Sequence, residues 1–428
     1  MGTFIRIWSG QLVSTIGSYM TVFALMIWVW NVTESATTLA LVSFFSQLPR
    51  IFVTPVAGII VDRFPRKHLI LMGDVVAAIC TVGIALLYRA DSLELWHLYT
   101  AVAIYGCFGQ LQTLSYSTSI ALLVDKENYT RAESMVAGVN YSGAIFSPIL
   151  AGILYPRIGL EGIFAIDLLT FSMAFITLAA SAIPQPPPDA EPTGSQTFWQ
   201  DVSFGFRYIA RSPSLITMVV AFSLFAIPSD IGKALYSPMI LARSGGDAAI
   251  LGSVTTAAGV GGVLGAILLS IQGGFKRRIN GMLAGFLWTG SFKLILGMSQ
   301  SPIIWMLAHF AATLTIPLYY SSTNAIWYAQ VPPSLQGRVL AADQMIGLIV
   351  GATAPLLAGP LADYIFEPAM ARNGWLSQWT LGLWGSGPGA GIGFLYSASA
   401  LAMTLVGVVG FGLPRLRQVE DAPTHLKL

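Results

Sequence analysis

The chain has 428 residues, of which 55% are hydrophobic and only 10% charged, with a net charge of +2. A soluble domain carries about 25% charged residues, so a surface facing water throughout is excluded, and the near-balanced charge offers no basic face for a nucleic acid. Mean hydropathy is +0.70, which predicts a surface that faces lipid.

A helix that crosses a bilayer needs about 20 mostly apolar residues. Runs that meet this lie, in chain order, at 8–30, 38–61, 68–88, 96–123, 132–155, 160–183, 213–241, 248–271, 279–298, 302–330, 338–365 and 389–412. They are too long for membrane strands and show no period-two alternation. The expected fold is an all-α integral membrane protein with twelve transmembrane helices. The first run is followed directly by others of the same kind, so it reads as a retained span and not a cleaved signal. Cys80 and Cys107 both fall inside apolar runs, which reads as two buried thiols and no disulfide framework.

Basic residues set the expected orientation. With the N-terminus inside, the inner segments hold Arg6, Arg63, Arg66, Lys67, Lys126, Arg131, Arg207, Arg211, Lys276, Arg277, Arg278, Arg338, Arg415, Arg417 and Lys427. The outer loops hold only Arg89, Arg157, Arg243 and Arg372, and three cations stay within spans. Both termini are therefore placed in the cytoplasm, in a multi-pass protein of the plasma (cytoplasmic or inner) membrane.

Between spans six and seven, residues 184–196 are rich in proline and read as a semi-rigid linker. Phe198, Trp199, Val202, Phe206 and Ile209 then recur at helical spacing, which predicts a short amphipathic helix on the inner membrane surface. The organisation follows: residues 1–183 form one six-helix bundle, 184–212 the linker with its helix, 213–413 a second bundle, and 414–428 a cytoplasmic tail.

The two halves echo each other. Val124, Arg131, Pro148 and Gly152 recur 207 residues later as Val331, Arg338, Pro355 and Gly359, and Leu150-Ala151-Gly152 matches Leu357-Ala358-Gly359. Two pseudo-symmetric six-helix bundles are the expected result, an arrangement common in transporters because two similar halves can rock about a central site.

The loop between spans two and three reads Gly58-Ile-Ile-Val-Asp62-Arg63-Phe-Pro65-Arg66-Lys67. Gly58 allows close helix approach, Asp62 can accept bonds at a span end, and the basic cluster holds the loop at the inner face. This stretch resembles the G-x-L-a-D-r-x-G-r-k signature of the major facilitator superfamily, with Ile60 and Pro65 standing where the signature has leucine and glycine. The likeness extends over the twelve spans, the 6+6 repeat and the central linker. Trp8-Ser-Gly-Gln11, Phe164-Ala-Ile-Asp167 and the glycines Gly385, Gly387, Gly389 and Gly391 are similar to the macrolide-efflux and enterobactin-exporter-like branch. In span five, Gly138, Gly143, Pro148 and Gly152 follow the antiporter pattern, but Ser147 stands where glycine is expected. Span four lacks the arginine of many drug antiporters and offers Gln110 and Gln112 instead. The resemblance implies a secondary transporter working by alternating access, with Pro355 and Gly359 repeating the helix-packing role in the second half.

Ionisable groups within spans are costly and mark candidate sites. Arg50, Asp167, Asp230, Lys233, Lys293 and His309 are such groups. Asp230 and Lys233 are three apart and share a helix face, in a stretch that Pro228 and Gly232 loosen. Asp230 is the candidate that exchanges protons or holds a cation, with Lys233 or Lys293 as counter-charge; a structural ion pair is the other reading. Asp167 is the second candidate and is expected to cap its helix or pair with Arg157. Arg50 is expected to meet an anionic substrate or a carboxylate. Asp74, Glu133 and Asp343, beside Arg66, Arg131 and Arg338, are expected to form an inner gate latch. Tyr105, Phe108, Tyr116, Tyr319, Tyr320, Trp327 and Tyr328 are candidates to line a cavity or to pack between helices.

No phosphate-binding loop, zinc-protease or hydrolase motif is present, so no cofactor, no metal and no enzymatic activity are expected. The leading expectation is a proton-coupled exporter of hydrophobic or amphipathic small molecules such as a drug, siderophore or secondary metabolite, acting as a monomer. Nutrient uptake, facilitated diffusion, or a non-transporting receptor or membrane enzyme on the same scaffold are the alternatives.

Overall fold

The structure is a computed structural model in which residues 2–125, 129–183, 198–371, 374–380 and 383–421 are described. They are helical throughout, with no strand among them. The helices are α1 (Gly2–Thr33), α2 (Ala36–Arg63), α3 (Arg66–Arg89), α4 (Leu95–Leu123), α5 (Tyr129–Ala179), α6 (Phe198–Arg211), α7 (Pro213–Ser244), α8 (Ala248–Gln272), α9 (Arg278–Met298), α10 (Pro302–Thr313), α11 (Ile316–Gln330) and α12 (Pro333–Pro360). A π-helical stretch follows at Leu361–Phe366, then α13 (Glu367–Met370), α14 (Ser377–Thr380), α15 (Ala390–Gly412) and α16 (Pro414–Arg417).

Ten segments among the described residues are long and apolar enough to cross a membrane. One of them, Tyr141–Ala179, holds two spans. Its helix α5 breaks at Gly159, whose φ of 65° and ψ of −172° only glycine adopts without strain. With α4, which is long enough but less uniformly apolar, the segments give the twelve-helix architecture that the sequence predicts. Span ten is α10 followed by α11, interrupted at Leu314 and Thr315.

The chain forms two compact units. Unit 1 comprises Met1–Glu34, Leu41–Thr193 and Gly246–Thr256. Unit 2 comprises Ser35–Ala40, Gly194–Gly245 and Ala257–Leu428. The boundary is therefore not a single cut in the linker: the first turn of α2 packs in unit 2, and the first part of α8 packs in unit 1.

Unit 1 is built on α1 against α5. Gly10 and Gly17 of α1 face Thr177 and Thr170 of α5, where a Cβ would collide with the threonine hydroxyls. Small residues at a helix crossing let the backbones approach, as membrane helices require in the absence of a hydrophobic driving force. Trp8 adds a hydrogen bond to the Met135 carbonyl at 2.7 Å. Unit 2 has a larger core, in which Phe225 of α7 stacks on Phe286 of α9 at 3.8 Å and Tyr319 of α11 meets both edge-on.

Helix α6 forms where the sequence predicts it, but its packed face is different. Gly205 lies against the Arg338 carbonyl and Ala342 of α12, Tyr208 and Ile209 enter the core of unit 2, and Phe206 is exposed. One face of α6 is thus taken by the protein itself. The expected tail is also partly structural: Leu416 and Val419 are buried, and the Glu420 carboxylate accepts the Ile279 amide at 2.7 Å. The linker at 184–196 and residues 422–428 lie outside the described residues.

Candidate functional site

Within unit 1, the polar faces of α1 to α5 enclose a cavity of 330 Å³. Gln11 of α1, Asp74 of α3 and Gln112 of α4 meet in its wall. Gln112 donates to one Asp74 oxygen at 2.5 Å and Gln11 to the other at 3.3 Å. Arg50 of α2 lines the same cavity, with Ser14, Thr15, Tyr19, Tyr105 and Tyr116. Asp74 is therefore a cavity residue held by amides, and it pairs with no arginine of the expected gate latch among the described residues. The reason for Arg66 is helical geometry: Asp74 is two turns further along α3, beyond reach of Arg66 in the first turn, which donates to the Thr118 carbonyl at 2.6 Å.

Asp167 is equally buried, 5% exposed like Asp74. Its carboxylate accepts hydroxyls from Ser18 and Thr21 of α1 at 3.0 and 2.9 Å and from Thr81 of α3 at 3.3 Å. It does not pair with Arg157, which donates to the Ile153 carbonyl of its own helix. This carboxylate ties three helices together through neutral donors. The hydroxyls were present in the sequence, but nothing there says that Ser18, Thr21 and Thr81 converge.

In unit 2, α7 carries Pro228 and Pro238, each of which removes an amide from the helix ladder. Between them Lys233 donates to Asp230 at 2.6 Å, with Asp230 16% and Lys233 63% exposed. Lys293 of α9 is only 7% exposed and lies within electrostatic range of both. Spacing predicted the Asp230–Lys233 pair; the arrival of Lys293 from another helix is a tertiary fact. Gly351 of α12 borders Asp230, its Cβ position 3.9 Å from the carboxylate. His309 packs on the Tyr236 ring at 4.5 Å. Among the aromatics, Tyr105 and Tyr116 line the unit 1 cavity, while Tyr319 and Trp327 are buried in the unit 2 core.

The remaining expected gate residues are placed separately. Lys67 donates to the Ala179 and Ser181 carbonyls, both at 2.8 Å, clamping the loop to the end of α5. The Arg338 guanidinium lies over the Phe204 ring at 5.5 Å, and Asp343 is half-buried in α12. Gly58 and the side chains of Asp62, Arg63, Arg131 and Glu133 lie outside the described residues. Of the packing residues, Gly152 meets the Ala248 carbonyl, Gly359 the Thr37 backbone, and Gly143 the side chains of Thr15 and Tyr19, whereas Gly138 faces open space. Pro148 and Pro355 are buried, each inside its helix. Ser147, the departure from the span-five pattern, donates to the Ile16 carbonyl at 2.8 Å and so ties α5 to α1.

One residue placed in an outer loop by sequence is instead a half-buried anchor at a helix end. Arg243, in the last turn of α7, donates to the carbonyls of Gly297, Ser299, Gly389 and Trp384 at 2.7 to 3.4 Å. It also explains two glycines at the start of α15. Gly389 adopts a φ of 80°, and a Cβ on Gly393 would collide with the guanidinium.

Two sets of relatives bear on these sites. The chain is 24% identical to macrolide efflux protein A of Streptococcus pyogenes over 374 residues, covering 87% of this chain and 91% of that protein. It is 23% identical to the multidrug efflux pump Tap of Mycolicibacterium fortuitum, covering 98% of each. Its fold is similar to that of a bacterial homologue of the iron transporter ferroportin, with a TM-score of 0.70 and 12% identity over 96% of this chain and 98% of that one. A bacterial homologue of the lysosomal transporter Spinster gives 0.67 at 15% identity, over 98% and 96%. The Major Facilitator Superfamily profile matches residues 7–232, more than half of the chain. With that match and the twelve-helix fold, the chain belongs to the Major Facilitator Superfamily, a family of multi-pass membrane transporters of small molecules and not of enzymes.

Proposed function

We propose that this transporter is a proton-coupled exporter of hydrophobic or amphipathic small molecules that works by alternating access, with Asp230 as the proton-exchanging group and Lys233 as its counter-charge. The observation that carries the reading is the Asp230–Lys233 contact of 2.6 Å between the two prolines of α7, with the buried Lys293 beside it. An ionisable cluster in a span, at a point where the helix ladder is interrupted, suits a group that changes charge during a transport cycle. Neutralising Asp230 frees Lys233 and sets two like charges against each other, a change large enough to favour a different helix arrangement. The efflux relatives support the outward direction. The protein is a monomer in the plasma membrane with both termini cytoplasmic in this reading, because a 6+6 repeat can enclose a path by itself and the basic residues lie mainly on one side.

The test is proton movement in everted vesicles or proteoliposomes under an imposed pH gradient, with macrolides, lipophilic cations and siderophores added in turn. A compound that collapses the gradient in wild type but not in Asp230→Asn supports the reading. Asparagine keeps the volume of the side chain and an acceptor oxygen for Lys233, so the variant should still insert, which gel filtration in detergent checks. Binding or equilibration of ligand with no proton movement would replace the antiporter by a facilitator or receptor.

A further inference from the structure

The charges around the unit 1 cavity do not compensate one another locally. Asp74 is served by two amides and Asp167 by three hydroxyls, all neutral donors. Arg50, in the same wall as Asp74, has no carboxylate within 4 Å among the described residues. Its Nε is shielded from solvent and has no acceptor there. A guanidinium is a planar fork of donors that matches a carboxylate in two parallel hydrogen bonds.

From this arrangement we propose that the unit 1 cavity binds the transported molecule by an acidic group: the ligand is a small aromatic organic monoanion whose acid is received by Arg50. This deepens the export reading above and rests on it for the step from binding to transport. Tyr19, Tyr105 and Phe171 supply ring walls against which a flat body packs. The volume of 330 Å³ lies at the small end of ligand sites, which suits a compact ligand. Asp74 limits the charge. A carboxylate already on the wall repels a second acid group on the ligand, and it accepts from a ligand donor without penalty. The macrolide and multidrug relatives do not carry this inference; the uncompensated arginine does.

Purified full-length protein in nanodiscs is titrated with 2-naphthoate, with 2-naphthylmethylammonium, which shares the ring system and inverts the charge, and with naphthalene-2,6-dicarboxylate. Wild type should bind the monoacid at least about tenfold more tightly than either of the others, the size of effect expected from one charge-assisted bidentate contact. Arg50→Gln should lose that affinity by about tenfold or more, and Arg50→Lys, which keeps the charge without the fork, should retain part of it. Asp74→Asn should selectively improve binding of the diacid, which keeps the proposal testable if Arg50→Gln fails to insert. The proposal is overturned if wild type prefers the ammonium probe, if it binds none of the three, or if Arg50→Gln binds the monoacid as wild type does. Failure of the export reading looks different: the monoacid binds through Arg50 but no compound moves protons. Conversely, compound-driven proton movement in wild type together with equal monoacid binding by wild type and Arg50→Gln leaves export standing and removes the acid site.

Discussion

Replacing Asp167 separates a structural carboxylate from a coupling one. Three hydroxyls from α1 and α3 converge on this side chain, which is 5% exposed. Hydrogen bonds between membrane helices are worth about 0.6 kcal/mol on average and about 1.7 at most. Asp167→Ala removes all three and should destabilise unit 1 by about 2–5 kcal/mol. Asp167→Asn keeps an acceptor oxygen, and the hydroxyls can turn to satisfy the new amide, so its cost should stay below about 1 kcal/mol. A unit of this size melts about 2–4 °C lower per kcal/mol lost, which puts the alanine variant at least about 4 °C below wild type. The protein carries its own reporters. Cys80, adjacent to Thr81, and Cys107 are free, half-buried rather than fully buried as their apolar runs predict, and both in unit 1. A thiol-reactive dye melt in detergent therefore reads the unfolding of that unit. If Asp167→Ala melts with wild type, or if Asp167→Asn falls as far as the alanine variant, these bonds do not hold the three helices and the reasoning fails. Asp167→Asn should also keep proton-coupled transport, whereas Asp230→Asn should not.

Three further substitutions test other contacts. Ser147→Ala removes the bond to the Ile16 carbonyl and should lower the dye-melt stability of unit 1 by about 0.6–1.7 kcal/mol; an unchanged melt would make the serine incidental. Gly159→Ala forces a Cβ into a backbone conformation confined to glycine and should cost about 1–3 kcal/mol in the same assay, although open space surrounds the position. Arg243→Lys cannot reach the four carbonyls at once; losing two of them costs about 1–3 kcal/mol. It should speed hydrogen exchange at Gly385–Ile392, and equal exchange in the two proteins would refute the anchor.

Hydropathy alone was enough for the twelve spans, because a bilayer imposes one solution, the continuous helix, on any chain that must satisfy its backbone inside lipid. The 207-residue repeat and the loop at Gly58–Lys67 were likewise legible in the sequence, since both are patterns along the chain. So was the Asp230–Lys233 pair, since a spacing of three fixes two side chains on one helix face. What needed the tertiary structure is every relation between helices. Asp74 was grouped with the inner latch because it lies near the inner end of its helix, but two glutamines from α1 and α4 hold it in a cavity wall. Arg243 read as a loop cation and is an internal anchor, because its carbonyl partners lie 54 or more residues further along the chain. Helix α6 showed its apolar residues in advance but not which of them the protein would cover, since that depends on where Arg338 and Ala342 of α12 stand. A side chain's type and its neighbours along the helix are written in the sequence; the surroundings of Arg50, which has no carboxylate within 4 Å among the described residues, are not, because they depend on which faces the other helices turn toward it.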